Sequence, residues 1–396
     1  MENELRGHFL TPEGQVKRGV VAIADGTIVR CEFHALSNRE EQEAEGVIFP
    51  GFIDVHVHGG GGADVMDASS DALDTISRTH GARGTTGWLA TTVTQSADAT
   101  DRAIDAVVEY MKSGRNGKVG AAALGIHLEG PFLNPKLRGA HREDGVRLPD
   151  MEQFVRWCER AEGAVKMITL APELEGAQEL IQEAVRRGVV VSAGHSDATW
   201  RDMEKATEWG VSHVTHLFNA MRPLHHREPG IVAFALGSAA VTADLIVDGI
   251  HLHPGVVDLA LASKGAGKLL LITDAMRAAC LGDGEYDIGG LPVQVVKGEA
   301  RLQDGTLAGS LLTLDEAFRR MVAHHRVSLA DASGMASANP AALLRLDPHT
   351  GRIAEEMKAD LVQLRPNRSV GWTMVNGNFV YGRPEAEIAS ARRKRD

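Results

Sequence analysis

The chain of 396 residues has few cysteines and no long apolar run. Its three cysteines, Cys31, Cys158 and Cys280, are odd in number and far apart, which indicates neither a disulfide framework nor a C-x-x-C zinc site. No apolar run is long enough to cross a bilayer, and residues 1–10 lack the basic and apolar regions of a secretory signal. We therefore expect a cytoplasmic protein that does not interact with a membrane.

An excess of basic residues is also missing. The formal net charge of −11 argues against a nucleic-acid partner, which would need clustered lysine and arginine. An anionic substrate would have to be drawn by a local cationic site. The basic block Arg392-Arg393-Lys394-Arg395 lies at the end of the chain, and we interpret it as a solvated tail.

Two hairpin patterns lie at opposite ends of the sequence. Asp25-Gly26 and Asn376-Gly377-Asn378 each separate two apolar runs, which is a strong hairpin signal. We predict that the two ends, residues 1–49 and 350–396, pair into one small β-sandwich domain.

Between these ends, short apolar runs rich in β-formers alternate with helical patterns, which predicts a parallel α/β fold. The predicted strands lie near residues 52–58, 87–93, 121–129, 166–171, 189–195, 211–217, 239–247 and 268–274. Predicted helices include residues 97–111, 175–187 and 200–209. This pattern favours a (β/α)8 TIM-like barrel over residues 50–349, with a β-hairpin insertion near residues 282–305.

Polar residues collect where the predicted strands end. His56 and His58 are two apart and share a strand face, and Asp54 shares it with them. Other strands end in Glu129, His195, His216, His251 and Asp274. An isolated pair of histidines is more often two satisfied core residues, but the strand ends of such a barrel meet at one face, where the active site lies.

Imidazole and carboxylate are the expected ligands of a catalytic Zn²⁺ or similar divalent ion. Such an ion lowers the pKa of bound water from 15.7 to about 7. A neighbouring carboxylate can accept the water proton and later deliver it to a leaving amine. Asp274 follows the last predicted strand and is placed for that role.

The chain resembles the N-acetylglucosamine-6-phosphate deacetylase family of the amidohydrolase superfamily. The resemblance lies in the order of its motifs along essentially the whole chain. These motifs are P-G-F-I-D-V-H-V-H, H-L-E-G-P-F, S-A-G-H-S-D-A-T, T-H-L-F-N-A-M, R-E-P-G, D-G-I-H, I-T-D-A-M, G-T-L-A-G-S and S-A-N-P-A. The resemblance implies a metal-dependent hydrolase barrel that releases acetate from N-acetylglucosamine 6-phosphate.

The resemblance also implies roles for individual residues. The main metal ligands would be Glu129, His195 and His216, and Asp274 would be the general acid and base. His141 would assist at the amide oxygen. The implied substrate contacts are His141, Ala140, Asn219 and Ala220, with Arg227 and His251 on the phosphate. Because His251 reaches in from the neighbouring subunit in the family, a homodimer with shared sites is implied.

The histidine pair bears on the number of metal ions. From the resemblance we expect a second ion, bound by His56 and His58 and bridged by Glu129. The metal is predicted to be Zn²⁺, although Fe²⁺, Co²⁺ and Mn²⁺ accept the same ligands. Of the nearby polar residues, His127 is interpreted as a core residue. Asp197 could bond a ligand histidine or cap the next helix, and we favour the cap.

Two other functions are left open by the sequence. The first is the same deacetylation with N-acetylgalactosamine 6-phosphate as the substrate. It stays open because the residues that recognise the C4 hydroxyl cannot be located from the sequence. The other is a non-catalytic sugar-phosphate-binding protein on an amidohydrolase barrel. The full set of Glu129, His195, His216 and Asp274 argues against this second alternative.

Overall fold

The computed structural model describes residues 3–36 and 46–384, and its centre is a sheet of eight parallel strands. These strands are Phe52–Val57, Thr85–Thr92, Ala122–Glu129, Val165–Leu170, Val190–Ala193, Val211–Val214, Thr242–Leu245 and Leu269–Leu271. Each strand pairs with the next along the chain. A parallel bridge between Val57 and Ala275 joins the chain after the eighth strand to the first strand. The predicted (β/α)8 barrel is confirmed.

Helices alternate with the barrel strands. The α-helices are Ser70–Gly81, Ala97–Lys112, Met151–Arg160, Ala177–Arg186, Trp200–Trp209, Gly230–Gly237, Pro254–Lys264, Leu314–His324, Leu329–Ser333 and Asn339–Leu343. Short 3-10 turns cover Val65–Asp67, Pro135–Leu137, Glu143–Gly145 and Ala266–Lys268, and Gly334–Ala338 is a π-helical turn. The helices predicted over residues 97–111, 175–187 and 200–209 all form, with bounds that differ by at most two residues.

The start of the helix Trp200–Trp209 differs from the expectation. Its cap is Thr199, whose side chain accepts from the Asp202 amide while Asp202 accepts from the Thr199 amide. This reciprocal pair satisfies two amides of the first turn. Asp197 instead faces Arg222, at 3.0 Å from its Nε, so the prediction that Asp197 caps this helix is wrong.

The first barrel strand is buried on both faces. Phe52, Val55 and Val57 belong to the main hydrophobic core, and Asp54 and His56 are fully buried as well. Barrel strands are covered by helices outside and by other side chains inside, which explains why this strand reads as a nearly continuous apolar run. The polar side chains at its end therefore need partners inside the barrel.

The two chain ends form one seven-stranded sheet. Its strands, in spatial order, are Asn378–Tyr381, Val370–Val375, Leu361–Leu364, Val47–Pro50, Asn3–Leu10, Val16–Ala24 and Thr27–His34. Residues from both ends share a separate hydrophobic core, which includes Phe9 from the first end and Trp372 from the second. The predicted small β domain made from both ends is confirmed, whereas its boundaries at residues 49 and 350 stay a prediction.

Both predicted hairpin turns are present. Ala24 pairs with Thr27 and Val375 pairs with Asn378, so each turn has two central residues. All four central residues have positive φ, as a turn that matches the strand twist requires. The two turns also touch, because a Cβ on Gly26 would lie 2.8 Å from the Asn376 carbonyl oxygen. Glycine is therefore needed for the approach of the two ends.

The insertion after the eighth strand lies within the predicted residues 282–305 but has one strand more than predicted. It is a three-stranded antiparallel sheet made of Gly284–Ile288, Leu291–Val296 and Glu299–Arg301, instead of a hairpin. The third strand arises from a second two-residue turn, in which Lys297 and Gly298 have positive φ. A short pair, Gly59–Gly60 with Ala63–Asp64, follows the first barrel strand.

Among the described residues, no helix combines the length and apolar character that a membrane span requires. The basic block Arg392-Arg393-Lys394-Arg395 lies outside the described residues, so its interpretation as a tail stays a prediction.

Candidate active site

The polar residues predicted from the strand ends meet at one end of the barrel. Glu129 ends the third strand, and its side chain is surrounded by imidazoles from the first, fifth and sixth strands. Asp274 comes from the chain after the eighth strand. The members of this cluster are buried: His56, His58, Glu129, His141, His195, His216 and Asp274. Tertiary structure thus assembles residues that are up to 218 positions apart in sequence, from 56 to 274.

The two carboxylate oxygens of Glu129 face different neighbours. Oε1 lies 3.2 Å from Nε2 of both His195 and His216, and 3.4 Å from Nε2 of His56. Oε2 lies 3.1 Å from Nε2 of His58 and 3.3 Å from Nε2 of His141. Glu129 is therefore placed to share its oxygens between two groups of imidazoles.

The spacing of these atoms fits a metal centre. Nε2 of His195 and Nε2 of His216 are 3.1 Å apart, and Nε2 of His56 and Nε2 of His58 are 3.2 Å apart. Two nitrogen or oxygen ligands on one tetrahedral zinc are separated by roughly 3.3 to 3.6 Å, given metal bonds of about 2.0 to 2.2 Å. His56, His58 and Glu129 form one group that could hold an ion, and Glu129, His141 and His195 form another.

In three of the histidines, the partner of Nδ1 shows whether Nε2 is a metal ligand or a hydrogen-bond donor. Nδ1 of His195 lies 2.9 Å from the Leu137 carbonyl oxygen, and Nδ1 of His58 lies 3.2 Å from the Thr91 carbonyl oxygen. Each Nδ1 must carry a proton to make that bond, so Nε2 of each neutral ring offers a lone pair to a metal.

His141 has the opposite arrangement. Its Nδ1 accepts a hydrogen bond from the Thr94 amide at 3.1 Å, so the ring proton of the neutral form is on Nε2. That Nε2 points at Glu129 and is a donor in this tautomer. The geometry suits His141 to bond an oxygen atom, not to bind a metal, although its position admits it to one of the two groups described above.

The charges in the cluster favour a cation. Burial would raise the pKa of Glu129, yet the His56 and His141 imidazoles hold it well below the usual range. Burial likewise opposes ionisation of Asp274, but His56 and His58 bring its pKa to about 2. Two buried carboxylates therefore carry negative charge. Against the effect of burial, Glu129 and Asp274 raise the pKa of His58 well above its usual range and that of His216 to about 9, so protonated imidazoles balance this charge when no metal is bound. A divalent ion would take the place of those protons.

A cavity of about 470 Å³ opens above the cluster. Its wall includes the residues predicted to contact the substrate, namely Ala140, His141, Asn219, Ala220 and His251, together with Lys136, Arg138, Ile246, Ile288, Asp304 and Leu307. Lys136 and Arg138 were not predicted from the sequence, yet they supply positive charge beside the cavity of a chain with a formal net charge of −11.

The two residues predicted to hold the phosphate lie in different places. His251 lines the cavity of its own chain, where its Nδ1 lies 2.7 Å from Asp248 Oδ2. The His251 side chain thus reaches the cavity from its own chain. A histidine from a neighbouring subunit, as expected from the resemblance, is not needed at this position. Arg227 is exposed, and it is not part of the cavity wall among the residues that the structure describes.

Three side chains support the cluster from behind: Asp54 and Asp244 are fully buried, and Glu173 is partly buried. Asp54 accepts from the Thr273 hydroxyl at 2.6 Å and from the His56 amide at 3.2 Å. Asp244 accepts from the His216 amide. Glu173 accepts from the Ser196 hydroxyl, next to His195, at 2.6 Å. Neither Asp244 nor Glu173 has a role predicted from the sequence. The one signal for Asp244 is that it is a lone charge in an apolar strand.

His127 lies in the core beneath the cluster, as predicted. Its Nδ1 is 3.1 Å from the Val55 carbonyl oxygen and its Nε2 is 2.7 Å from the Thr169 hydroxyl. Both ring nitrogens are therefore occupied by protein partners. His127 supports the barrel interior under His56, whose ring it contacts edge to face.

Comparison with known proteins identifies the family. The model of the amidohydrolase family matches residues 47–380. The chain belongs to the amidohydrolase family. This family is metal-dependent, and the His and Glu groups of the cluster are able to hold a metal.

Individual relatives of this amidohydrolase match over nearly their full length. N-acetylglucosamine-6-phosphate deacetylase of Bacillus subtilis (strain 168) is 40% identical over 96% of the chain and 97% of the relative. N-acetylgalactosamine-6-phosphate deacetylase of Escherichia coli O157:H7 is 36% identical over 94% of the chain and 97% of the relative. The resemblance to the deacetylase family noted from the motifs is confirmed.

A solved structure agrees with both the fold and this relationship. It is a mutant N-acetyl-D-glucosamine-6-phosphate deacetylase of Mycobacterium smegmatis in complex with N-acetyl-D-glucosamine-6-phosphate. The TM-score is 0.88 at 34% identity, and the match covers 96% of this chain and 99% of that chain.

Proposed function

We propose that this amidohydrolase is an enzyme that hydrolyses the acetamide of N-acetyl-D-glucosamine 6-phosphate to D-glucosamine 6-phosphate and acetate. The reaction belongs to amino-sugar catabolism and recycling. The observation that carries the proposal is the buried convergence of Glu129, His195, His216 and Asp274 beneath one cavity. Relatives named for this activity match along nearly the whole chain.

In this proposal Glu129, His195 and His216 hold a divalent metal ion. Their Nε2 and Oε1 atoms are 3.1 to 3.2 Å apart, which supports the assignment. When bound, the ion would acidify a water molecule and polarise the amide carbonyl. Zn²⁺ suits the donor set best, and Fe²⁺, Co²⁺ or Mn²⁺ are the alternatives. His56 and His58, together with Glu129, would hold a second ion.

Asp274 is proposed as the general base and then the general acid. Its Oδ1 lies 3.4 Å from Nε2 of His56 and 3.3 Å from Nε2 of His58, at the edge of the cluster that faces the cavity. Burial opposes ionisation of Asp274, but the His56 and His58 imidazoles lower its pKa, so the carboxylate is ionised and has a free oxygen lone pair for a proton from water. It would deliver that proton to the departing amine, because C–N cleavage needs a protonated leaving group.

His141 is proposed to donate from Nε2 to the amide oxygen, where negative charge develops during attack by water. The Thr94 amide supports this role because it leaves the ring proton on the nitrogen that faces the cluster. A fixed donor in a water-poor site stabilises such charge strongly. Ala140, Asn219 and Ala220 line the same cavity and are proposed to contact the sugar.

The phosphate is proposed to lie against His251 of the same chain and Arg227 of a second subunit. Arg227 is exposed on the segment between the sixth strand and the helix Gly230–Gly237, and it offers a planar fork suited to phosphate. Because Arg227 is outside the wall of its own cavity, it would act in a homodimer. We also propose a cytoplasmic location, where sugar phosphates are found.

Mixing two defective subunits tests the role of Arg227. Asp274→Asn and Arg227→Ala are expected to be weakly active when prepared separately. Co-expressed and purified as mixed dimers, they should recover activity, because one site then has both an intact base and the arginine of its neighbour. Activity equal to the sum of the two separate variants would place Arg227 in its own chain's reaction.

The sugar is the remaining choice. The relative from Escherichia coli O157:H7 is named for the N-acetylgalactosamine 6-phosphate reaction and is 36% identical, whereas the Bacillus subtilis relative is 40% identical. N-acetylglucosamine 6-phosphate is therefore the preferred substrate in this proposal. The complete buried cluster argues against a protein that only binds sugar phosphates.

One experiment compares these possibilities. Acetate release is measured with both N-acetylhexosamine 6-phosphates and with both unphosphorylated sugars, and the metal content of the purified protein is determined in parallel. We expect the highest kcat/KM with N-acetylglucosamine 6-phosphate and at least one metal ion per chain. A preference for the galactosamine compound would change the substrate, and metal-containing protein without acetate release would favour the binding protein.

A further inference from the structure

Asp244 lies behind the metal-binding end of the barrel and is fully buried on the seventh strand, Thr242–Leu245. One carboxylate oxygen, Oδ1, accepts a hydrogen bond from the His216 amide. The other, Oδ2, lies 2.9 Å from Nε2 of His213. The Asp244 carbonyl oxygen also accepts from the Leu217 amide at 3.0 Å, so this one residue contacts both His216 and the residue after it.

His216 has a backbone conformation that needs support. Its φ is 32°, in the left-handed region that non-glycine residues rarely adopt and that persists only where surrounding contacts hold it. The regular strand ends at Val214, and the Thr215 amide still pairs with the neighbouring strand. The His216 amide has turned away from that ladder. Without Asp244 it would be a buried donor that has lost its partner.

The imidazole of His216 is not oriented through its second nitrogen. Its Nδ1 is buried and has no hydrogen-bond partner among the described residues. His195 and His58 differ, since each is fixed through Nδ1 by a backbone carbonyl oxygen. The orientation of His216 therefore depends on its backbone, and Asp244 holds that backbone at the amide.

We propose that Asp244 is a positioning residue that sets the direction of the His216 imidazole toward the metal site. The inference rests on the proposed role of His216 as a metal ligand. It extends to the substrate, because the Asn219 amide bonds the His216 carbonyl oxygen at 2.9 Å and Asn219 lines the cavity. The competing explanation is that Asp244 and His213 are a buried ion pair that only stabilises the barrel.

Zinc affinity separates these explanations. The dissociation constant for Zn²⁺ is measured by chelator competition, and thermal unfolding is followed with and without bound zinc. We expect Asp244→Ala to bind zinc about 10- to 100-fold more weakly, as loss of a residue that orients a ligand does. The rise in Tm on zinc binding should also shrink. A purely structural loss would lower both Tm values and leave the difference between them unchanged.

Two matched variants test whether Asp244 affects zinc affinity through the His216 amide. Asp244→Asn keeps an oxygen for the His216 amide and should bind zinc within a few-fold of the wild type. His213→Leu removes the ion-pair partner but leaves the contact with His216, so it should lose stability and keep its zinc affinity. Zinc binding as weak in either variant as in Asp244→Ala would overturn the proposal. If Asp244→Ala does not fold, Asp244→Glu, whose longer side chain displaces the carboxylate, takes its place.

A His216→Asn variant tells failure of this inference from failure of the metal assignment. If wild type binds zinc and His216→Asn does so equally well, His216 is not a ligand and the proposed site itself is wrong. If His216→Asn binds zinc weakly while folded Asp244→Ala binds it as tightly as the wild type, only the positioning role is refuted.

Discussion

The two halves of the cluster around Glu129 are built in different ways. His56 and His58 stand at the end of one extended strand, and the period of two puts both rings on one side. His195 and His216 follow two different strands, and their φ angles of 49° and 32° depart from strand geometry. The first half follows from local sequence, whereas the second is maintained by contacts such as that of Asp244 with the His216 amide.

The halves also have different neighbours. Asp274 lies beside the first half, with Oδ1 at 3.4 and 3.3 Å from Nε2 of His56 and His58. The ring of His141 lies against the ring of His195 in the second half, with centroids 4.7 Å apart. The difference teaches that the proposed proton carrier, Asp274, and the proposed hydrogen-bond donor to the amide oxygen, His141, have different neighbours in the cluster. Substitutions of Asp274 and of His141 should therefore test proton transfer and stabilisation of the amide oxygen separately.

The largest loss of kcat is expected on substitution of Asp274, the carboxylate beside the first half. Asp274→Asn should lower kcat by about 10²- to 10⁴-fold, because it removes proton transfer. Its metal content should stay at the wild-type level, since Asp274 is not among the three proposed ligands of the main ion. Steady-state kinetics and metal analysis of one preparation measure both. Turnover near the wild-type rate would remove Asp274 from the mechanism.

A somewhat smaller loss is expected at the donor beside the second half. His141→Asn should lower kcat by about 10²- to 10³-fold, as removal of a donor to a developing oxyanion does, with metal content retained. His141→Gln is the matched control, because its longer side chain can place an amide donor near the position of the imidazole Nε2 and should recover part of the rate. Loss of metal in His141→Asn would instead make His141 a ligand, in the group that it forms with Glu129 and His195.

The smallest effect is expected when the first half is removed. His56→Gln combined with His58→Asn should cost one ion where wild type binds two, and should leave activity within about ten-fold because the main ion remains. His195→Asn in the second half is the comparison, and losing the main ion should cost several kcal/mol of transition-state stabilisation. Metal content and activity unchanged in the double variant would make His56 and His58 ordinary barrel packing.

Much of the fold follows from local patterns. The alternation of apolar runs with helices indicates the barrel, and Asp25-Gly26 and Asn376-Gly377 indicate the two hairpins, since such pairs accept the positive φ that these turns need. The third strand of the insertion was missed because Lys297-Gly298 is a less typical turn. The cap at Thr199 was missed because Asp197, two residues earlier, is an equally good capping residue type.

The sequence by itself determined which residue types end the strands, and hence that imidazoles and carboxylates gather at one face of a barrel. Only the tertiary structure decided how they are used. The Thr94 amide leaves the proton of neutral His141 on Nε2, and Asp244 holds the amide of His216. His251 lies at its own chain's cavity while Arg227 does not. The tautomer of a histidine, a left-handed backbone conformation and the cavity that a side chain reaches all depend on residues far away in sequence. Local sequence patterns contain no information about these residues.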